Sequence, residues 1–338
     1  MKIRNLATTA LVLAATCLST SRAIAEVKTL TVAADGSGEY KTVQAAVDAV
    51  PDANREPIVI RIKPGTYKEK ITVPRGKPFV TFKGDDANAT VLTNDWNAKH
   101  AGPDGKEVGT FGSSSVLVAA SDFLAENVTF ENSAGNTGQA VALSATGDRQ
   151  VYRNCRLLGW QDTLYANGGR QYYDRCHIDG RVDFIFGNAV AVFDHCEIRS
   201  KNGGHVTAAS TEQNKPWGYV FLDCKLTGDP TPWKDPSGTL PPDKPTPKAD
   251  LGRPWRPYAS VTYVRCEMGD HIKPEGWQKW RKDDDTDKTA RYAEYRCTGP
   301  GANRAGRLPW TKELTDEQAA KLSVENVLAG ADRWKPQR

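Results

Sequence analysis

The sequence lacks most of the short motifs that give an activity away. Its seven cysteines form no CxxC pair, so a zinc site has little support, and there is neither an HExxH pair nor an EF-hand loop to hold another metal. A GxSxG elbow is missing too; Ser113-Ser114-Ser115 offers hydroxyls, but none of the five histidines stands in a triad context. His177 and His195 read as outward-pointing polar strand residues. The chemistry is therefore expected to need neither metal nor cofactor. Excess charge is also scarce: 45 Lys and Arg face 41 Asp and Glu, and Lys2, Arg4 and Arg22 of that small surplus lie in an acid-free N-terminal segment. The rest is close to neutral, which gives no ground for a nucleic-acid or membrane partner.

That N-terminal segment reads as a secretory signal over residues 1–25. Lys2 and Arg4 form a basic start, Leu6 to Leu18 an apolar stretch short for a bilayer, and Ala23-Ile24-Ala25 a small-x-small cleavage site, leaving Glu26 first in a mature domain of residues 26–338. A lipoprotein signal at Cys17 is disfavoured by the bulk of Thr16. Later apolar runs all fall short of the roughly 20 residues a spanning helix needs, so the mature protein is expected to be exported and soluble.

The six later cysteines sit in similar surroundings. Val151-Tyr152-Arg153-Asn154-Cys155-Arg156-Leu157 is echoed around Cys176, Cys196, Cys224 and Cys266; Phe123 to Phe130 is a degenerate copy with Val128 in the cysteine place, and Tyr295-Arg296-Cys297 begins a last one. Each copy reads as a short strand. Spacings of 21 residues from Cys155 to Cys176 and 20 from Cys176 to Cys196 are too short for helical repeats but suit one turn of a parallel β-helix. The expected fold is all-β, a right-handed single-stranded parallel β-helix with short flanking helices and long corner loops. Thr42 to Val50, with a threonine cap and Pro51 as a stop, is expected to cover the first coil. Thr315 to Leu322 and Ser323 to Ala329 read as two helices near the other end, and proline-rich Gly228 to Ala249 as a long loop.

Aligned on cysteine, the repeats bring two carboxylates together. Asp162 follows Cys155 by seven residues and Asp183 follows Cys176 by seven, so stacked coils place them about 4.8 Å apart along the backbone ladder. Like charges that close resist simultaneous ionisation, which separates an acid from a nucleophile or base at one pH. An isolated aspartate of this kind is more often a turn residue; here Gln161 precedes one and Phe184-Ile185-Phe186 follows the other.

Five motifs in order carry a resemblance: Gly65-Thr66-Tyr67-Lys68-Glu69, Gln139-Ala140-Val141-Ala142-Leu143, Gly159-Trp160-Gln161-Asp162-Thr163-Leu164-Tyr165, Val182-Asp183-Phe184-Ile185-Phe186-Gly187 and Leu251-Gly252-Arg253-Pro254-Trp255. Over nearly the whole mature chain the sequence resembles the pectin methylesterases, secreted β-helical enzymes that remove methyl groups from the galacturonate esters of pectin, releasing methanol and pectate. The resemblance implies Asp183 as nucleophile, Asp162 as general acid and then base, Gln139 and Gln161 as oxyanion donors, and Arg253 as the residue that holds Asp183. It also implies Thr110 and Trp255 as substrate contacts, with Gln139 and Arg253 sharing that task, and methyl-esterified polygalacturonate as the partner of a monomer. Gly65 to Glu69 reads as shaping an early coil. Arg181 stands where many relatives have a smaller residue and either binds a neighbouring carboxylate or faces solvent, while the proline-rich loop, ending just before Arg253, is placed to wall one side of the cleft. A Cys176–Cys196 disulfide is expected from stacking and from the same resemblance. The short lead from the signal to Asp35 favours a microbial source over a plant one. The rival reading is a glycan-cleaving enzyme with paired carboxylates, against which the two glutamines speak; a non-catalytic polysaccharide-binding β-helix is the third.

Overall fold

The computed structural model describes residues 27–229 and 247–336. The segment expected to be a secretory signal and most of the proline-rich loop lie outside the described residues. Short strands alternate among three parallel sheets of eleven, eight and seven strands, the coils between the two ends each giving one strand to each sheet in turn. This is a parallel β-helix, coiled right-handed as parallel crossovers are.

Each cysteine repeat, read as one strand, is in the structure two strands meeting at a corner. Gln150–Arg153 lies in the first sheet and Arg156–Leu158 in the second; Asn154 between them has φ 50°, and the residue before each later cysteine, Arg175, His195, Asp223, Arg265 and Arg296, is also left-handed. Such a residue turns the chain without a loop, and the small cysteine that follows points into the core. The residue three places before each of these cysteines except Cys297 builds a second inner ladder. Tyr152, Tyr173, Phe193, Phe221 and Tyr263 stack ring on ring at 4.9, 4.7, 4.5 and 4.4 Å, the rise of one coil per ring.

The cysteine ladder overturns the expected disulfide. Cys176 and Cys196 are both free thiols, as are Cys155, Cys224, Cys266 and Cys297. Equivalent positions on stacked coils aim their Cβ atoms in the same direction, whereas a bridge needs them to converge. These two thiols instead donate to the aromatic rung below: Cys176 Sγ to the Tyr152 carbonyl and Cys196 Sγ to that of Tyr173, both at 3.3 Å.

The N-terminal helix, Val43–Asp48, caps the first coils as expected, with Thr42 Oγ1 accepting from Ala45 N at 3.2 Å and Val43, Ala46 and Val47 buried. Glu69 completes the cap by accepting from Val43 N and Gln44 N, so the Gly65–Glu69 motif serves the fold. The two C-terminal helices, Asp316–Ala319 and Val324–Leu328, do not close the far end. Their apolar face covers the outside of the first sheet, where Leu322, Val324, Val327 and Leu328 pack with Val151, Tyr172, Val192 and Val220. Those sheet positions face outward and are apolar, so they need a cover.

Candidate active site

The site lies where the second sheet hands over to the third. Gln139 pairs in parallel with Gln161, and Gln161 with Val182, so three successive coils are in register here. One residue further on, Asp162 N donates to Val182 O at 3.0 Å and Ala140 N to Gln161 O at 3.1 Å, which seats Ala140, Asp162 and Asp183 on consecutive rungs. The two glutamines thus form one short column and the two aspartates its neighbour. Asp162 and Asp183 both adopt left-handed backbone angles, φ 64° and 51°. Such a conformation costs on the order of 1 kcal/mol, less for aspartate than for most residues, and here it turns both carboxylates out toward the cleft.

Their surroundings differ. Asp183 is gripped by Arg253, whose Nε donates to Oδ1 at 2.9 Å and Nη2 to Oδ2 at 2.7 Å, a bidentate charge-assisted pair. Arg253 is itself fixed from both ends: its N–H donates to Thr207 O at 2.9 Å, and its guanidinium lies 4.2 Å from the Trp280 ring centre. Gly252 lets this strand pass close by, since a Cβ there would come within 1.9 Å of Thr207 Oγ1. Asp162 has no such cation on its carboxylate. Burial, reinforced by the Asp183 charge and only partly opposed by Arg253, pushes its carboxyl well above the usual range.

Around this pair lies a cleft of about 290 Å³ lined by Thr110, Phe111, Gln139, Gln161, Asp162, Asp183, Phe186, Ala208, Arg253, Trp255 and Trp280. The structure therefore brings together all seven residues to which the resemblance gave a catalytic or substrate-binding role. Neither glutamine amide has a hydrogen-bond partner among the described residues, so both can donate to a ligand. Arg181 is not among the lining residues. The one grouping of potential metal ligands among the described residues, Asp194, His195 and Asp223, sits at the other corner, and Asp223 is bound there by Arg265 at 2.7 and 2.5 Å.

Sequence reading missed an aromatic wall. Phe111, 55% exposed, meets Tyr165 at a tilt with ring centres 4.8 Å apart, Tyr165 stacks on Phe186 at 4.7 Å, and Phe186 meets Trp255 edge-on at 6.0 Å. A signal for part of it existed, since Tyr165 and Phe186 each follow an aspartate by three residues and pair in register. Trp280 comes from a distant loop and left no such trace.

Paired carboxylates beside two unengaged amide donors, in an open aromatic-walled groove on a parallel β-helix, define a hydrolase built for acyl chemistry on an extended ligand. The chain belongs to the pectinesterase family, whose model matches residues 29–331. It is 43% identical to pectinesterase 31 of Arabidopsis thaliana over 88% of this chain and 90% of that protein, and 37% identical to pectinesterase QRT1 of the same plant over 91% and 78%. Among solved structures, the pectin methylesterase from carrot superposes with a TM-score of 0.80 at 35% identity, covering 90% of this chain and 93% of that one. PemA from Erwinia chrysanthemi gives 0.76 at 29% identity over 93% and 99%. The curated relatives named are plant proteins and lend the expected microbial source no support.

Proposed function

We propose that this chain hydrolyses the methyl esters of pectin through an acyl-enzyme formed on Asp183. Hydrolysis of those esters to methanol and pectate is the family's reaction; the roles of the individual residues are our reading. The observation that carries it is the asymmetry of the pair: one carboxylate bound by an arginine, its neighbour buried without one and shifted toward the protonated form. Asp183 attacks the C6 carbonyl of a methylated galacturonate, and charge builds on the carbonyl oxygen, where the Gln139 and Gln161 amides donate. Asp162 gives its proton to the departing methanol. The resulting Asp162 carboxylate then takes a proton from water as that water attacks the acyl-enzyme, restoring both groups. Arg253 holds Asp183 in place throughout, while Thr110, Trp255 and the rest of the aromatic wall bear on the sugar chain.

In this reading the protein is exported and works as a monomer on polysaccharide, with neither nucleic acid nor membrane as partner. The nearly balanced charge beyond residue 25 offers no basic patch for a polyanion, and no helix among the described residues is long and apolar enough to cross a membrane. Methanol release and reducing-end formation, measured side by side on highly methylated pectin, test the chemistry. Methanol without new reducing ends is expected; new reducing ends would favour the glycan-cleaving alternative.

A further inference from the structure

Ser113-Ser114-Ser115, which supplies no nucleophile, has a different task. All three are buried, under the short turn Gly109–Gly112 that carries Thr110 and Phe111 into the cleft wall. Ser113 Oγ donates to Thr110 O at 2.5 Å and accepts from Val141 N at 3.1 Å; Ser114 Oγ donates to Phe111 O at 2.8 Å and lies 2.7 Å from Ser144 Oγ. A single cation closes this platform from the side. Lys70 Nζ, reaching over from the end of an early coil, donates to Gly112 O at 2.6 Å and Ser114 O at 2.5 Å and sits 4.8 Å from the Trp96 ring centre.

We propose that Lys70 is a positioning residue for substrate binding: its ammonium clamps the carbonyls of Gly112 and Ser114 and so holds Thr110 and Phe111 against the sugar chain. The inference rests on Thr110 and Phe111 being a substrate-facing wall. Alongside the Ser113 and Ser114 hydroxyls, the clamp holds a turn that is weakly built in itself. It has only four residues, its Val108 N-cap supplies no side-chain bond, and Phe111 projects more than half into solvent. An ammonium bonded only to neutral carbonyls and a ring is also a poor device for stability alone, since burial with no carboxylate beside it lowers Lys70 to about 8. Its geometry instead ties two carbonyls, those of Gly112 and Ser114 on either side of Ser113, to one donor at the end of the turn.

The test is steady-state methanol release by the full mature chain on methylated polygalacturonate. Lys70→Met should raise KM about tenfold, the order of one charge-assisted hydrogen bond, with kcat within about twofold. Lys70→Arg, which keeps a cation within reach of both carbonyls, should restore most of the affinity. In a Phe111→Ala background Lys70→Met should add nothing, because both changes act through the same wall. A parental KM for Lys70→Met, or an undiminished effect in the Phe111→Ala background, overturns the proposal. If Phe111→Ala alone leaves KM unchanged, the wall itself is misassigned and the proposal falls with it. Should Lys70→Met fail to fold, as read by circular dichroism, Lys70→Gln, which removes the charge and shortens the reach, takes its place: a raised KM supports the clamp and a parental KM overturns it.

Discussion

Asp162 and Asp183 occupy equivalent rungs of consecutive coils with nearly the same left-handed backbone, yet only Asp183 carries an arginine on its carboxylate. The coil repeat supplies the symmetry, and a strand from two coils further along supplies the asymmetry, since Arg253 enters from Ala249–Gly252 on the rung beyond Gly204–Ala209. A duplicated position thus becomes two different groups without any change in local backbone. The chemical division of labour follows from that one contact.

Replacing either aspartate should separate those roles. Asp183→Asn removes the nucleophile and should abolish methanol release, while Asp162→Asn should lower kcat by roughly 10²–10⁴, the usual worth of a positioned acid–base group. Both should still bind a methylated oligogalacturonide in a calorimetric titration. Substantial turnover by folded Asp183→Asn would rule out the covalent route.

The glutamine column should matter to kcat and little to KM. Gln161→Ala removes one donor aimed at the developing oxyanion and should slow turnover by roughly 10²–10³, with Gln139→Ala similar or milder because that residue is the more exposed of the two. An effect confined to KM in both variants would show that the amides bind the ground state only.

The thiol ladder makes a direct mass-spectrometric prediction. Alkylation of the unfolded, unreduced protein should label Cys155, Cys176, Cys196, Cys224, Cys266 and Cys297 alike, and a reductant should leave the melting temperature unchanged. A product lacking label at Cys176 and Cys196 would restore the bridge that the sequence led us to expect.

What the sequence revealed and what it hid divide along physical lines. The cysteine spacing is a period, and a period in a solenoid is the rise of one coil, so the β-helix and the stacking of Asp162 on Asp183 could be read from it. The same spacing misled over Cys176 and Cys196, because proximity of Cα atoms says nothing of where parallel Cβ atoms aim. Two halves of the aromatic wall, Tyr165 and Phe186, obey the period and were legible in principle. Lys70 and Trp280 do not obey it: each reaches the site from a segment outside the repeats that bear the aspartates, and only the folded chain brings them there. The C-terminal helices were visible as helices through their capping residues, but the apolar outer face they cover is a property of several strands at once.

The raised Asp162 carboxyl links activity to stability. Burial is the main cause, the Asp183 charge the second, and Arg253 opposes both. The general acid must hold its proton to release methanol, so kcat should fall on the alkaline side as pH rises through the raised value, and residual activity of Asp162→Asn should lack that limb. For stability the sign runs the other way from an ordinary salt-bridged aspartate. Below the unfolded value of 3.8 the group is protonated in both states and its contribution is fully present; as pH climbs through the raised folded value, the folded chain must accept a buried charge and that contribution is lost. Each pKa unit of elevation corresponds to about 1.4 kcal/mol. Asp162→Asn, which keeps the shape without the charge, should therefore melt higher than the parent at neutral pH, and the gap should close as the pH is lowered toward about 4. Calorimetric melting temperatures for the two proteins across that range decide it. A gap that stays constant with pH would mean that Asp162 titrates as an ordinary carboxylate and is not the poised acid.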